Sequence, residues 1–597
     1  MTRTTGPGLF QPHTLALAVA VGFAAPAQAV NFNIGEIEGQ FDSSLSVGAS
    51  WSMRSPDRDL IGPNNGGQGQ AQTGDDGRLN FKKGETFSKI FKGIHDLELK
   101  YRDTGVFVRG KYWYDFELKD ESRRFKDIDD HNRKEGAKSS GAEILDAFLY
   151  HNYAIGDLPG TVRVGKQVVS WGESTFIGNS INSINPIDVA AFRRPGAEIK
   201  EGLIPVNMLY LSQSLSDRLS MEAFYQLEWD QTILDNCGTF FSTADVAADG
   251  CDSGYHIGSP AIAPLQPVAA AFGQGFQVDS EGVILPRAGD RDARDSGQWG
   301  AALRWLGDET EYGLYFMNYH SRTPIVGTQN AGLATLAALP GIIGTANGIV
   351  PGSGAGLAQS VMLGNGRYFL DYPEDIRLYG ASFSTTLPTG TAWSGEISYR
   401  PNLPLQINTT DLTLSLLNPI APGTSPVTAG PGQDNVGYRR KEVTQVQTTF
   451  THFFDQVMGA GRFTLVGEIG MAHVGGLESR EDLRYGRDSL FGAYGFRGDT
   501  HGFVTSTSWG YRVRGIWEYS NVFAGVNLKP NVSWSHDVDG YGPNGLFNEG
   551  AKAVSFGIDA DYRNTYTASL SYTDFFGGKY NTAVDRDFLA LSFGVSF

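Results

Sequence analysis

The chain has 597 residues and a net charge of -17, from 48 Lys and Arg against 65 Asp and Glu. That length allows several domains, yet no Pro-rich linker or charge block divides the sequence. The acidic balance excludes a nucleic-acid binder, whose phosphate partner would be repelled, and is assigned here to solvated loop surface. Abundant Gly (76), Phe (36), Tyr (25) and Trp (10) suit turns and aromatic girdles. A mean hydropathy of -0.24 suits a barrel in which only alternate residues meet lipid.

Residues 1–29 read as a signal peptide: a weakly basic start with Arg3, an apolar run from Leu15 to Ala25, and Ala27-Gln28-Ala29 as the small-residue cleavage site. Both domain boundaries follow, with 30–597 expected as one domain. Beyond it no segment approaches the ~18 apolar residues of a membrane helix, so any crossing is made in strands. Period-two segments recur at 106–119, 221–230, 393–400, 463–471 and 509–519. Nearer the end, Val554, Phe556, Ile558, Ala560 and Tyr562 share one face, as do Tyr566, Ala568, Leu570 and Tyr572.

The connections between segments alternate short and long. Short ones fall at 103–104, 156–160, 216–217, 307–308, 388–390, 456–461, 520–521 and 563–564. Long ones cover 55–91, 120–142, 171–205, 231–297, 321–374, 402–440, 475–504, 535–550 and 575–586. The pattern predicts an all-β, transmembrane antiparallel β-barrel of about 18 strands, with 16 as the alternative. Its long loops lie outside the cell and both termini lie in the periplasm.

Inward faces of these strands carry mixed charge: Arg109, Lys111, Asp115 and Glu117 in one, Arg512, Arg514 and Glu518 in another. They read either as ladders guiding a polar solute or as salt bridges between neighbouring strands.

The 171–205 connection is too apolar for a solvated loop. Trp171, Phe176, Ile177, Ile181, Ile184 and Ile187 stand beside Glu173, Asn185, Asp188, Arg193, Arg194, Glu198 and Glu201. It is expected to fold into the lumen as a plug. Arg193 and Arg194 would then grip a carboxylate or sulfate head group, or pin the plug through Glu173, Glu198 and Glu201.

Cys237 and Cys251, the only cysteines, share one long loop, and a structural disulfide is the simplest reading in an exported chain. Two further loops are unexpectedly apolar. One holds 261–265 and 268–272; the other holds Leu333, Leu336, Leu339, Ile342, Ile343, Ile349, Val350 and 361–363. A short helix over 333–339, ended by Pro340-Gly341, is expected in the second. These loops form either a capture surface for an apolar solute or a cap over the barrel.

No metal and no cofactor is implied: the acidic clusters at 127–135 and 537–540 lack calcium-loop spacing. Histidines at 452, 473, 501 and 536 are isolated and no G-x-S-x-G occurs, so an enzyme is not expected.

The final strand places Leu591, Phe593, Val595 and Phe597 on one side, and its ending on Phe597 resembles the assembly signal of bacterial outer-membrane barrels. Trp171-Gly172-Glu173 and Asn185-Pro186-Ile187-Asp188, with 222–226, 372–376 and Glu396-Ile397-Ser398-Tyr399-Arg400, resemble an uncharacterised outer-membrane family, domain of unknown function 1302. The resemblance spans most of the chain beyond residue 29. It implies a Gram-negative outer-membrane location, lipid and lipopolysaccharide contact, the barrel-assembly machinery and a periplasmic lipoprotein as partners, and association with hydrophobic growth substrates. The function expected is a channel taking up a small hydrophobic or amphipathic molecule. The alternatives are a porin for small hydrophilic charged solutes and a non-transporting barrel whose loops bind a partner.

Overall fold

The computed structural model describes residues 30–495 and 498–597; the expected signal peptide lies outside the described residues. One antiparallel sheet closes on itself as an 18-strand barrel. Its strands are β1 (Ile37–Ser52), β2 (Thr86–Tyr101), β3 (Thr104–Asp115), β4 (Ser140–Ile155), β5 (Leu158–Gln167) and β6 (Val206–Ser214). They continue as β7 (Leu219–Gln226), β8 (Trp299–Leu306), β9 (Thr310–Tyr319), β10 (Ile376–Thr386), β11 (Ala392–Gln406) and β12 (Tyr438–Asp455). The last are β13 (Arg462–Gly475), β14 (Thr507–Phe523), β15 (Val526–Asp539), β16 (Lys552–Tyr562), β17 (Tyr566–Phe576) and β18 (Phe588–Ser596).

Each strand pairs with the next in the chain, and β18 closes the wall by pairing with β1 over Ser44–Ser52. Phe597 exchanges two backbone hydrogen bonds with Ser43, at 2.6 and 2.8 Å. A short arm, Val30–Ile34, pairs with β1 beyond that point. The short turns gather at one end with both described termini; the long connections gather at the other. The turn expected at 520–521 falls instead at 524–525, because β14 continues to Phe523 through an irregular pairing after Tyr519.

Strand periodicity decides the two faces. Leu314, Phe556, Ile469 and Phe593 point outward and are 60, 53, 51 and 46% exposed, which only a lipid surround makes favourable. Outward aromatics form two bands. Trp305–Tyr312, Trp393–Phe450 and Phe454–Phe463–Trp517 lie near the short turns; Trp299–Phe316–Tyr379–Tyr399 lies nearer the long loops. Among the described residues no helix is long and apolar enough to cross a membrane.

The long loops build a cap with its own core. Helices Leu333–Ile349 and Gly354–Asn365 pack Leu339, Ile342, Leu357, Val361 and Met362 against Leu265, Phe276 and Tyr368. The first helix does not stop at Pro340 as expected. It runs on to Ile349 because Ile342 and Ala346, beyond the proline, are fully buried in this core, and that packing offsets the lost hydrogen bond. The apolar loop residues thus mostly pack on one another, leaving Leu333, Ile349, Val350 and Phe272 exposed. Cys237 and Cys251 are joined by a disulfide within the 227–298 connection.

Nor is the acidity all solvated surface. Asp75, Asp76 and Asp245 are buried where two loops meet, with Lys126 donating to Asp76 at 3.0 Å. Burial pushes the Asp76 carboxyl up to about 8 and that of Asp245 up to about 6.

Candidate functional site

Residues 168–205, between β5 and β6, cross the lumen. Asn185 ties the two roots of the segment together: its side chain accepts from Val169 N (3.0 Å) and donates to the carbonyls of Gln167 (3.2 Å) and Ile204 (2.9 Å). Trp171 is 1% exposed, packs on Phe224 and Tyr315, and donates from Nε1 to Glu222 at 2.7 Å. Gly172 follows at φ +91°, where a Cβ would stand 2.4 Å from Glu396 Oε2. Only glycine lets that carboxylate approach the backbone.

The approach matters because two buried wall carboxylates hold the plug by its backbone. Glu396 on β11 accepts from the N–H groups of Glu173 (2.5 Å), Ser174 (3.1 Å) and Ile181 (3.3 Å). Glu468 on β13 accepts from those of Thr175 (3.0 Å), Phe176 (2.6 Å) and Ile177 (2.7 Å). Charged acceptors make strong hydrogen bonds, and three donors on each carboxylate offset its burial. Between these anchors Ile181 lies against Gly380 of β10, and Ile177 against Gly470 of β13.

The second half of the plug is held by cations from β2 and β3. Lys92 donates to Glu201 (2.7 Å) and to the Gly196 carbonyl (2.8 Å). Lys111 reaches Asp188 (3.2 Å) and Glu143 (2.7 Å), while Asp188 caps the short helix Val189–Phe192. Arg193 pairs with Asp235 (2.9 Å) and lies over Phe241. Arg194 donates to the Gly136 carbonyl (2.7 Å) and lies over Trp113. Both arginines are thus engaged by neighbouring loops. Their partners are outside the loop, not Glu173, Glu198 and Glu201 as the sequence suggested; Glu198 pairs with Lys200.

Most of the charges expected in the lumen are likewise paired. Arg109 forks onto Asp96 at 2.7 Å and reaches Asp146. Asp115 accepts from Ser88 and caps the short helix Phe116–Asp120; Glu117 lies in that helix, past the end of β3 and not on its inward face as expected, and pairs with Lys89 and Arg123. Arg512 pairs with Asp537 (2.6 Å) and Glu518 with Arg462 (3.3 Å). No single-sign ladder runs through them. Arg514 stands apart: its Nε is buried with no hydrogen-bond partner among the described residues.

The plug does not fill the lumen evenly. Inward residues of β9 to β13, including Met317, Leu378, Ser398, Gln447 and Glu468, are buried beneath it. On β15 to β17 the inward Ser533, Ser535, Ser555, Ser569, Ser571 and Thr573 remain partly open. Among the capping loops lies a cavity of about 610 Å³. It shares Thr323 and Asn544 with a second cavity of about 210 Å³ over the plug, beside Asn182 and Arg400. A third, of about 280 Å³, flanks Phe176 along β14 to β16.

The family described as "Protein of unknown function (DUF1302)" matches residues 11–597. The chain belongs to this family. No curated protein matches this DUF1302 chain. Solved structures similar to it include Acinetobacter baumannii OccAB3, 9% identical, covering 93% of this chain and 99% of that one at a TM-score of 0.40. Acinetobacter baumannii OccAB4 is 10% identical, with 96 and 99% covered at 0.39. Pseudomonas aeruginosa OccK1 is 9% identical, with 93 and 98% covered at 0.37.

Sequence reasoning missed Glu396 and Glu468 as the anchors of the DUF1302 plug. Each is a lone acid on the inward face of a strand, between Gly395 and Ile397 or Gly467 and Ile469. That signal is readable once strand register is known.

Proposed function

We propose that the protein is a channel of the bacterial outer membrane that takes up a small solute, with a transport rather than a catalytic role. The solute passes along the β14–β18 wall, beside the plug and not through it. The observation that carries this reading is the asymmetry of the lumen. One side is sealed by apolar and carboxylate contacts, and the other is a partly open surface of small hydroxyl side chains. A wet groove of Ser and Thr favours a polar or amphipathic solute over a purely hydrophobic one. In this reading the short turns and both described termini face the periplasm, and Phe593 and Phe597 serve as the assembly signal.

Purified protein in planar bilayers tests it. The expected result is a small, steady ohmic conductance that falls when bulky side chains are placed at Ser533 or Ser571. The packed core of the cap supports a second reading, a closed barrel without transport. Absence of any conductance, with the loops intact, would favour it.

A further inference from the structure

The cavity beside Phe176 is built from unlike parts. Register places Arg512 opposite Ser535 and Arg514 opposite Ser533 across β14 and β15, and Ser533 opposite Ser555 across β15 and β16. These residues line one wall of the cavity, and Phe176 at the plug's tip lines the other. Its position is fixed because its own N–H is held by Glu468 at 2.6 Å, and yet its side is 39% exposed. An apolar ring held in place yet part-exposed to a watery groove leaves apolar surface that a solute can cover.

The charge is the second half of the argument. Arg512 is neutralised by Asp537, and the nearest acid across β13, Glu468, is engaged by three backbone donors of the plug. Glu518 is taken by Arg462. Arg514 faces Val466 on one side and Ser533 on the other, with no carboxylate partner among the described residues. A guanidinium presents a planar fork that matches a carboxylate, and neighbouring serine hydroxyls can donate to its remaining lone pairs.

We propose that Arg514 and Phe176 form a binding subsite for a small amphipathic anion, a carboxylate carrying a flat apolar or aromatic body. The carboxylate forks onto Arg514 and the apolar body lies on the Phe176 ring. This names a solute class for the passage and rests on the channel reading, but the subsite can be measured without transport.

Calorimetric titration of the detergent-solubilised full chain with benzoate, benzamide and acetate separates the parts. Benzoate is expected to bind about tenfold tighter than either control, since benzamide lacks the charge and acetate the ring. R514Q should remove the preference for benzoate over benzamide. R514K should keep part of it, so that loss in R514Q reports the lost charge and not misfolding. F176A should remove the preference for benzoate over acetate. Equal binding of benzoate and benzamide, or a preference unchanged in R514Q, overturns the proposal. Arginine-dependent benzoate binding with bilayers that stay closed upholds the subsite and removes the channel.

Discussion

Glu468→Ala is expected to raise conductance several-fold while leaving the barrel assembled. The carboxylate accepts from three consecutive plug N–H groups and from Thr449 Oγ1 at 3.1 Å. An orphaned buried donor costs about 1–3 kcal/mol; that penalty falls on the buried Ile177 amide, while the amides of exposed Thr175 and Phe176 lose a charged acceptor and turn to water. The tip at 174–178 should undock, widening the groove on the β14 side, where Arg512 lies directly across from Glu468. Glu468→Gln, which keeps one carbonyl acceptor but turns a donor toward the amides, should fall between. Single-channel recording reads the effect, and a conductance equal to wild type would show that the carboxylate does not hold the tip.

Trp171→Ala is expected to loosen the whole plug by about 3–5 kcal/mol, the range for removing a fully buried aromatic. The indole fills the space between Phe224, Tyr315 and Gly300, and its Nε1 satisfies Glu222. Trp171→Phe keeps the ring contact and loses that hydrogen bond, for about 1–2 kcal/mol. Gly172→Ala should act in the same direction, because it combines a positive φ with a clash at Glu396. Native-state hydrogen exchange over 171–205 measures each. Protection should fall there and persist in the strands; unchanged protection in Trp171→Ala would contradict the packing described.

The barrel was legible because a membrane strand obeys a local rule, alternation, that survives without knowledge of its partners. The alternating runs before Tyr562 and after Tyr566, and the turn between them, fall where period two places them. The plug was legible as an apolar segment that water would not tolerate. What it touches was not, since Arg193 meeting Asp235 and the backbone N–H of Glu173 meeting the Glu396 carboxylate are long-range contacts decided by closure of the wall. Pro340 misled because the burial that carries the helix past it comes from loops distant in sequence. The motifs Trp171-Gly172-Glu173 and Asn185-Pro186-Ile187-Asp188 stood out as patterns, and the structure supplies their reasons: a buried anchor, a close approach of Glu396, a tie between loop roots and a helix cap.

Cysteine scanning tests the half-open lumen most directly, and Cys237 and Cys251 are already paired in a disulfide. Single cysteines at Ser533, Ser555 and Ser571 should react rapidly with a small hydrophilic thiol reagent in the membrane-embedded protein. Cysteines at Ser398 and Thr449, beneath the plug, should stay unmodified until the plug is released by Glu468→Ala. Equal labelling of the two walls in the otherwise unaltered protein would contradict the account.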